Sequence, residues 1–517
     1  MLATAQQAAY CQAMLSVVDL RPAPVVPSHF NMAAHVLART AARLPDKSAL
    51  QILRPSGAER WSYARLTAAV QGCATGLIAQ GLVPGDRVLM RLGNQVEFPI
   101  VFLGAIAAGL VPIATSAQLT APEITPMAAR VNPKLIVAAA GVALPDHIAP
   151  VLMDEQIRQM EGLPPHPFAY GPPDRPAYIV FTSGTSGTPA AVVHAHRAIL
   201  ARQMMHHGWE GLTEADRLLH AGAFNWTYTL GTGLMDPWTV GATALIPGAG
   251  VEVGQLPLLL KRFDATVFAA APGVYRQMLR AALPPMPKLR HGLSAGEKLA
   301  EATRSAWVEA TGTQIYEALG MSEVSTFISA APGRPAPAGA SGFAQEGRHI
   351  AVLGPDLAPV PRGTPGQLAV GRDDPGLMLR YDGAAEQTAA RLTETWFLTG
   401  DTVVMDEAGA VSYLGRDDDQ MNAGGYRVSP LEVERAMALH PALHDVAVTE
   451  VEVRPGVTVI ACFYTADAPQ PEADLHAHAA AHLARYKHPR LFRHLAALPR
   501  GANSKLNRRA LRQMDAP

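Results

Sequence analysis

Stretches whose apolar residues recur every 3.6 positions, at 66–80 and 98–108, alternate with short runs rich in β-branched residues at 87–90, 134–138, 178–181 and 243–246. Helices and strands that follow one another in this way bury their apolar faces as βαβ units, with the helix crossing over and the strands running parallel. The pattern predicts an α/β chain, with a large N-terminal domain of mixed, mostly parallel sheets and flanking helices. No period of 20–50 residues recurs, which excludes a solenoid or propeller.

Residues 98–114, FPIVFLGAIAAGLVPIA, are uncharged and long enough to raise the question of a membrane span. Pro99, Gly104, Gly109 and Pro112 divide them into a buried helix followed by a short strand. With 517 residues, 49% hydrophobic and 17% charged, the chain can build a large core in about two to four domains. Its formal charge is -1, from 43 Lys+Arg against 44 Asp+Glu, so no global basic field collects nucleic acid or an anionic membrane. Cys11, Cys73 and Cys462 are far apart and form no CxxC pair, which argues against a disulfide framework or zinc site and for a reducing compartment. The opening MLATAQQAAYCQAML has no Lys or Arg before its apolar residues, so no export signal is expected and the protein is placed in the cytoplasm.

A boundary falls at 415–420, after which about 100 residues suffice for a small domain. Its first helix is marked by Ser429-Pro430-Leu431-Glu432, which reads as a capping box with Ser at the N-cap, Pro at N1 and Glu at N3. Between Leu475 and Met514 stand nine Lys or Arg and no Asp or Glu, a solvated basic face or one that meets phosphates.

The run AYIVF ends in Thr182-Ser183-Gly184-Thr185-Ser186-Gly187-Thr188-Pro189. Two glycines permit a tight loop whose amides face an anion, and five hydroxyls add donors. No GK[ST] follows, so it is not a Walker A loop. Further segments come in order: Ser294-Ala295-Gly296-Glu297, Tyr316-Glu317-Ala318-Leu319-Gly320-Met321-Ser322-Glu323, and WFLTGD ending in Asp401. After them stand Tyr413-Leu414-Gly415-Arg416-Asp417-Asp418, Ala423-Gly424-Gly425-Tyr426-Arg427-Val428, Leu431-Glu432-Val433-Glu434, and Leu498-Pro499-Arg500 through Lys505. This ordered set, spread over residues 30–512, resembles the adenylate-forming superfamily of acyl-CoA synthetases, aryl-acid:CoA ligases, adenylation domains and luciferases. It is most similar to the benzoate-type ligases.

The resemblance implies an N-terminal domain at 1–416, a hinge at 417–420 pivoting on Asp418, and a small mobile α+β domain at 421–517. It implies that residues from Thr182 to Gly187 hold the phosphates of ATP. Ser294, Ala295, Gly296 and Glu297 would line the adenine site, with Glu317, Ala318, Leu319, Gly320 and Ser322 beside them. Tyr316 would offer a flat face to adenine, and Glu323 a hard oxygen ligand to Mg²⁺. Asp401 can accept both ribose hydroxyls, with Arg416 donating and Tyr413 adjacent. Gly424, Gly425, Tyr426 and Arg427 would form the coenzyme A side, and Lys505 would act with Thr182 and Glu323 in catalysis. The implied acyl pocket lies between Phe224, Trp226, Thr227, Tyr228 and the Gly320-Met321 segment; its flat apolar walls suit a ring. No Lys or Arg occurs between Arg217 and Lys261, which disfavours dicarboxylic acids.

The implied reaction is carboxylate + ATP + CoA to acyl-CoA + AMP + diphosphate, with benzoate, aminobenzoate, hydroxybenzoate or a cyclohexane carboxylate as the acid, in a monomer or homodimer. The alternatives are a medium-chain fatty acid:CoA ligase, a stand-alone adenylation enzyme loading a carrier protein, and a non-catalytic acyl-adenylate-binding protein. Two positions depart from the family pattern. Ala190 stands where a lysine is usual, a lost phosphate contact of about 1.5–3 kcal/mol, and Ser504 stands where glycine is usual. Of the 18 histidines, His194 with His196 and His478 with His482 have spacings that could hold a metal, but no carboxylate or cysteine is near them, and polar or packed histidines are expected.

Overall fold

A computed structural model describes residues 14–182, 189–416, 421–423, 426–454, 457–483, 487–501 and 506–514. The expected hinge at 417–420 lies outside them. Two compact units are present: Val18–His349 with Val370–Phe397, and Met1–Val17 with Ile350–Ala369 and Leu398–Pro517.

The larger unit holds two sheets. One runs, edge to edge, Arg380–Tyr381, Ala190–Ala195, Pro176–Thr182, Val111–Ala114, Arg87–Arg91, Leu135–Ala138, Val151–Met153. Its last five strands are parallel, while Ala190–Ala195 turns back antiparallel on Pro176–Thr182. The other has nine strands: Phe343–Ala344, Ser325–Ser329, Gln314–Met321, His291–Ala295, Val267–Ala270, Arg217–His220, Thr243–Pro247, Ser48–Arg54, Gly57–Ser62. Six central strands are parallel and the edges are closed by antiparallel hairpins.

All four β-branched runs are strands. The helices expected at 66–80 and 98–108 are Tyr63–Ala79 and Glu97–Ala107. Ser62 starts the first, accepting a bond from the Arg65 amide at 3.2 Å. The apolar stretch at 98–114 is a wholly buried helix followed by the strand Val111–Ala114, with Gly109 at φ +78° making the turn. No helix among the described residues is long and apolar enough to cross a membrane.

The smaller unit contains most of a five-stranded sheet, Val17–Asp19, His349–Leu353, Gly366–Gly371, Trp396–Met405, Val411–Arg416. It also holds a three-stranded one, Asp445–Arg454, Val457–Thr465, Leu491–His494. The period of two divides the latter cleanly. Val448, Ile460, Cys462 and Tyr464 pack under the helices Pro430–Met437 and Glu472–His482, while Ala447, Val451, Ala461 and Phe463 pack against Leu511 of the helix Arg508–Met514. This sheet is covered on both faces.

The capping box at Ser429 does not form. Ser429 is the N-cap and Pro430 occupies N1, but the Ser429 hydroxyl donates to the Leu414 carbonyl and Glu432 pairs with Lys487. A partner brought up by folding outbids the local amide. Much of the basic C-terminal stretch is likewise used internally: Arg500 pairs with Asp445 at 2.7 Å and Arg508 with Glu434 at 2.6 Å. Cys73 and Cys462 are free thiols, buried in the core.

Candidate active site

In the larger unit Thr182 closes the strand Pro176–Thr182 at its carboxyl end, where open α/β sheets bind ligands, and pairs with Ala190 across the hairpin. Ser183, Gly184, Thr185, Ser186 and Gly187 lie outside the described residues. Ala190 and Ala191 are both buried. At the foot of the loop Arg130 donates to the Pro189 carbonyl at 2.8 Å.

The strand Gln314–Met321 sorts the expected adenine residues by the pleat. Tyr316 and Ala318 join Ala295, Leu293, Trp226 and Tyr228 in one apolar cluster. Glu317 points to the opposite face, with Lys298 at 3.0 Å, Arg304 at 3.2 Å and the Ser341 hydroxyl at 3.2 Å. Ser294 and Ala295 end the neighbouring parallel strand, in register with Glu317 and Ala318. Gly296 follows with φ +98°, and Glu297 lies 3.7 Å from Arg276.

The expected acyl residues divide. Trp226 meets Tyr228 edge to face at 5.1 Å, and the Tyr228 hydroxyl donates to the Leu293 carbonyl at 3.1 Å. Thr227 and Met321 are half-buried. Phe224 is fully buried against Phe98, rings 5.2 Å apart, outside that cluster. Gly320 sits at a register shift after Leu319. A Cβ there would lie 2.4 Å from the Ser325 carbonyl and 2.5 Å from the Thr326 Cα, so only glycine lets the hairpin close.

Glu323 is buried in the turn that follows. Its Oε1 accepts the Tyr381 hydroxyl at 2.7 Å and its carbonyl accepts the Met378 amide at 2.7 Å. The His194 Nε2 lies 2.6 Å from the Ser322 carbonyl, so that nitrogen carries the proton. Both supports come from the hairpin of Pro176–Thr182 and Ala190–Ala195: His194 stands on its second strand, and Tyr381 pairs with Val192 of the same strand. The strand Ala190–Ala195 and the Glu323 turn are therefore linked through one piece of sheet. Tyr381 and His194 carried no signal in the sequence for this role, since 58 and 128 residues separate them from their partners.

Of the two histidine pairs, His194 and His196 are buried, whereas His478 is half-buried and His482 exposed. Burial depresses His194 to about 4 and His196 to about 3. The His196 Nδ1 accepts the Met32 amide at 3.1 Å. His478 and His482 stack at 4.2 Å and face the carbonyls of Ala436 and His478.

In the smaller unit Asp401 and Arg416 are cross-strand partners, with the guanidinium 3.4 Å from Asp401 Oδ1. The Tyr413 hydroxyl lies 3.5 Å from the same oxygen, and the Asp401 amide donates to Thr399 Oγ1 at 3.1 Å. Arg435 of the following helix donates to the Tyr413 carbonyl at 3.3 Å. Asp418, Gly424, Gly425 and Lys505 lie outside the described residues, and Tyr426 and Arg427 are described only as backbone of the strand Tyr426–Val428. On either side of 502–505, Arg500 and Leu506 form an antiparallel bridge.

The family model described as AMP-binding enzyme matches residues 37–382, and that described as AMP-binding enzyme C-terminal domain matches residues 432–505. The chain belongs to the AMP-binding enzymes, the adenylate-forming superfamily. The benzoate–CoA ligase of Thauera aromatica is 29% identical over 536 residues, covering 96% of this chain and 99% of that protein. The 3-hydroxybenzoate–CoA ligase of Aromatoleum sp. (strain CIB) is 29% identical over 486 residues, covering 89% and 92%. The solved structure of the anthranilate CoA ligase AuaEII in complex with anthranoyl-AMP is similar with a TM-score of 0.85 at 25% identity, covering 95% of this chain and 98% of that one.

Proposed function

We propose that the protein is an ATP-dependent, AMP-forming acid:CoA ligase acting on an aromatic carboxylic acid. The observation that carries the choice of acid is the clustering of the Trp226 and Tyr228 rings with Tyr316 and Ala318, on the strand that leads into Glu323. Flat apolar walls favour a planar ring over a short or flexible chain. The benzoate, hydroxybenzoate and anthranilate ligases named above support the same reading.

Glu323 fits a hard cation. No described residue hydrogen-bonds to its Oε2, and Tyr381 fixes the other oxygen. A carboxylate of this kind suits Mg²⁺ held mainly by substrate phosphates. Bound there, magnesium would supply charge neutralisation for the phosphates during adenylation. Thr182 and the loop after it position the phosphates, Tyr316 flanks the adenine, and Asp401 with Arg416 and Tyr413 binds the ribose. Lys505 stabilises the charge that develops as the carboxylate attacks the α phosphate in line and diphosphate leaves. In the second half-reaction the thiol of CoA attacks the acyl carbonyl carbon of the adenylate, losing its proton, and the acyl–phosphate bond breaks to release AMP. We assign Gly424, Gly425, Tyr426 and Arg427 to that step, and Asp418 to the pivot between domains 1–416 and 421–517. A cytoplasmic setting accords with the free thiols of Cys73 and Cys462 among the described residues.

The test is acid-dependent diphosphate release over benzoate, anthranilate, hydroxybenzoates, a cyclohexane carboxylate, acetate and decanoate, followed by mass spectrometry of the thioester made with free CoA. The reading expects the highest kcat/KM with a ring acid. A clear preference for acetate or decanoate refutes the acyl assignment, and adenylation with transfer only to a carrier protein refutes the acceptor.

A further inference from the structure

Arg202 stands in the helix Ala198–Met205 with its guanidinium buried. It grips both oxygens of Asp236, Nε at 2.8 Å, and reaches the Thr232 hydroxyl at 3.1 Å and the Ser325 hydroxyl at 2.6 Å. Thr232 and Asp236 belong to the helical segment that begins at Thr229, directly after the rings of Trp226 and Tyr228. Ser325 lies two residues beyond Glu323. One planar fork thus spans from the acyl-side segment to the turn that carries the metal-side carboxylate.

Two features show that the surroundings are shaped for this bridge. A Cβ on Gly231 would lie 2.1 Å from the Arg202 Cζ, so the guanidinium occupies the space a side chain would need. Ser325, which receives the third arm of the fork, has φ +81°, a conformation that L side chains rarely adopt. His206 and Glu210 complete a buried group with Asp236 whose atoms could surround a cation. Arg202 already supplies the positive charge there. Burial opposes ionisation of Asp236, but the guanidinium outweighs it and holds the carboxyl below its ordinary range, whereas burial and the charge of Asp236 push Glu210 well above its own.

We propose that Arg202 is a positioning residue, which sets Glu323 relative to the rings of the acyl segment and so aligns the acid with the metal-bound phosphates. The inference rests on the acid:CoA ligase reading. A guanidinium fork serves where a lysine would not, because it holds three partners at fixed angles in one plane.

Ser325→Ala and Ser325→Gly both remove the third arm while keeping the Arg202–Asp236 pair, and the glycine variant also frees the backbone at φ +81°. Both should raise the Mg²⁺ concentration for half-maximal diphosphate release about five-fold and lower kcat about five- to ten-fold. Arg202→Lys keeps the charge but loses the fork, and should in addition raise KM for the aromatic acid about five-fold. Variants that lose thermal stability yet keep Mg²⁺ dependence and acid KM within about two-fold of the parent would reduce Arg202 to a structural residue. Recovery of parent kinetics by the glycine variant alone would assign the effect to backbone strain and overturn the proposal. So would one equivalent of a copurifying metal that is lost in Glu210→Gln. A parent protein without acid-dependent diphosphate release refutes the ligase reading itself, before any variant is compared, and the inference falls with it.

Discussion

Tyr381→Phe isolates how far catalysis depends on the orientation of Glu323. The substitution removes one oxygen, whose bond to Glu323 Oε1 is 2.7 Å long, from a residue 3% exposed to one 7% exposed. The ring, and the backbone pairing of Tyr381 with Val192, remain. A hydrogen bond to a charged group is worth about 1.5–3 kcal/mol, and each 1.36 kcal/mol is tenfold, so the full effect on Glu323 placement is bounded at about 10- to 150-fold. A cation on Oε2 restrains the carboxylate as well, so the lower end applies. We expect about a ten-fold rise in the Mg²⁺ needed for half-maximal diphosphate release, with an apparent Tm lowered by no more than about 3 °C. The assay titrates Mg²⁺ at fixed ATP and acid, beside a thermal scan. Half-saturation and kcat both within about two-fold of the parent would show that this hydrogen bond does not prepare Glu323 for the metal.

Three further outcomes are expected. Lys505→Ala slows diphosphate release by about two orders of magnitude, roughly 3 kcal/mol, but makes thioester from synthetic acyl-AMP and CoA at nearly the parent rate; equal loss in both steps would deny it a role confined to adenylation. Gly320→Ala forces a Cβ to within 2.5 Å of backbone atoms, which costs about 1–3 kcal/mol or more and displaces the Glu323 turn; unchanged Tm and adenylation rate would contradict the packing. His35, His194, His196 and His220 are depressed by burial to about 4, 4, 3 and 3 from 6.5. The unfolded chain therefore takes up these protons first, and stability is intact above pH 6.5 and falls below it, each group costing about 2 kcal/mol between pH 7 and 5. An apparent Tm that stays flat over that interval would refute this.

What the residues by themselves determined is what depends on near neighbours along the chain. The alternation of periods placed strands at 87–90, 134–138, 178–181 and 243–246, and the prolines and glycines of 98–114 divided a helix from a strand, because backbone periodicity and turn chemistry are set within a few positions. The order of the motifs from Thr182 to Lys505 identified the superfamily. Tertiary structure alone decided the partners of the polar side chains. Glu317 and Tyr316 are neighbours in one motif, yet the pleat sends the first to Lys298 and Arg304 and the second to the Trp226 cluster. Ser429 is the N-cap, yet its hydroxyl found the Leu414 carbonyl in place of a helix amide, and Glu323 found Tyr381 through the pairing of Tyr381 with Val192. A buried donor or acceptor must be satisfied by whatever the fold brings within about 3 Å. Strand order and register choose that group from anywhere in the chain, and no local pattern records the choice.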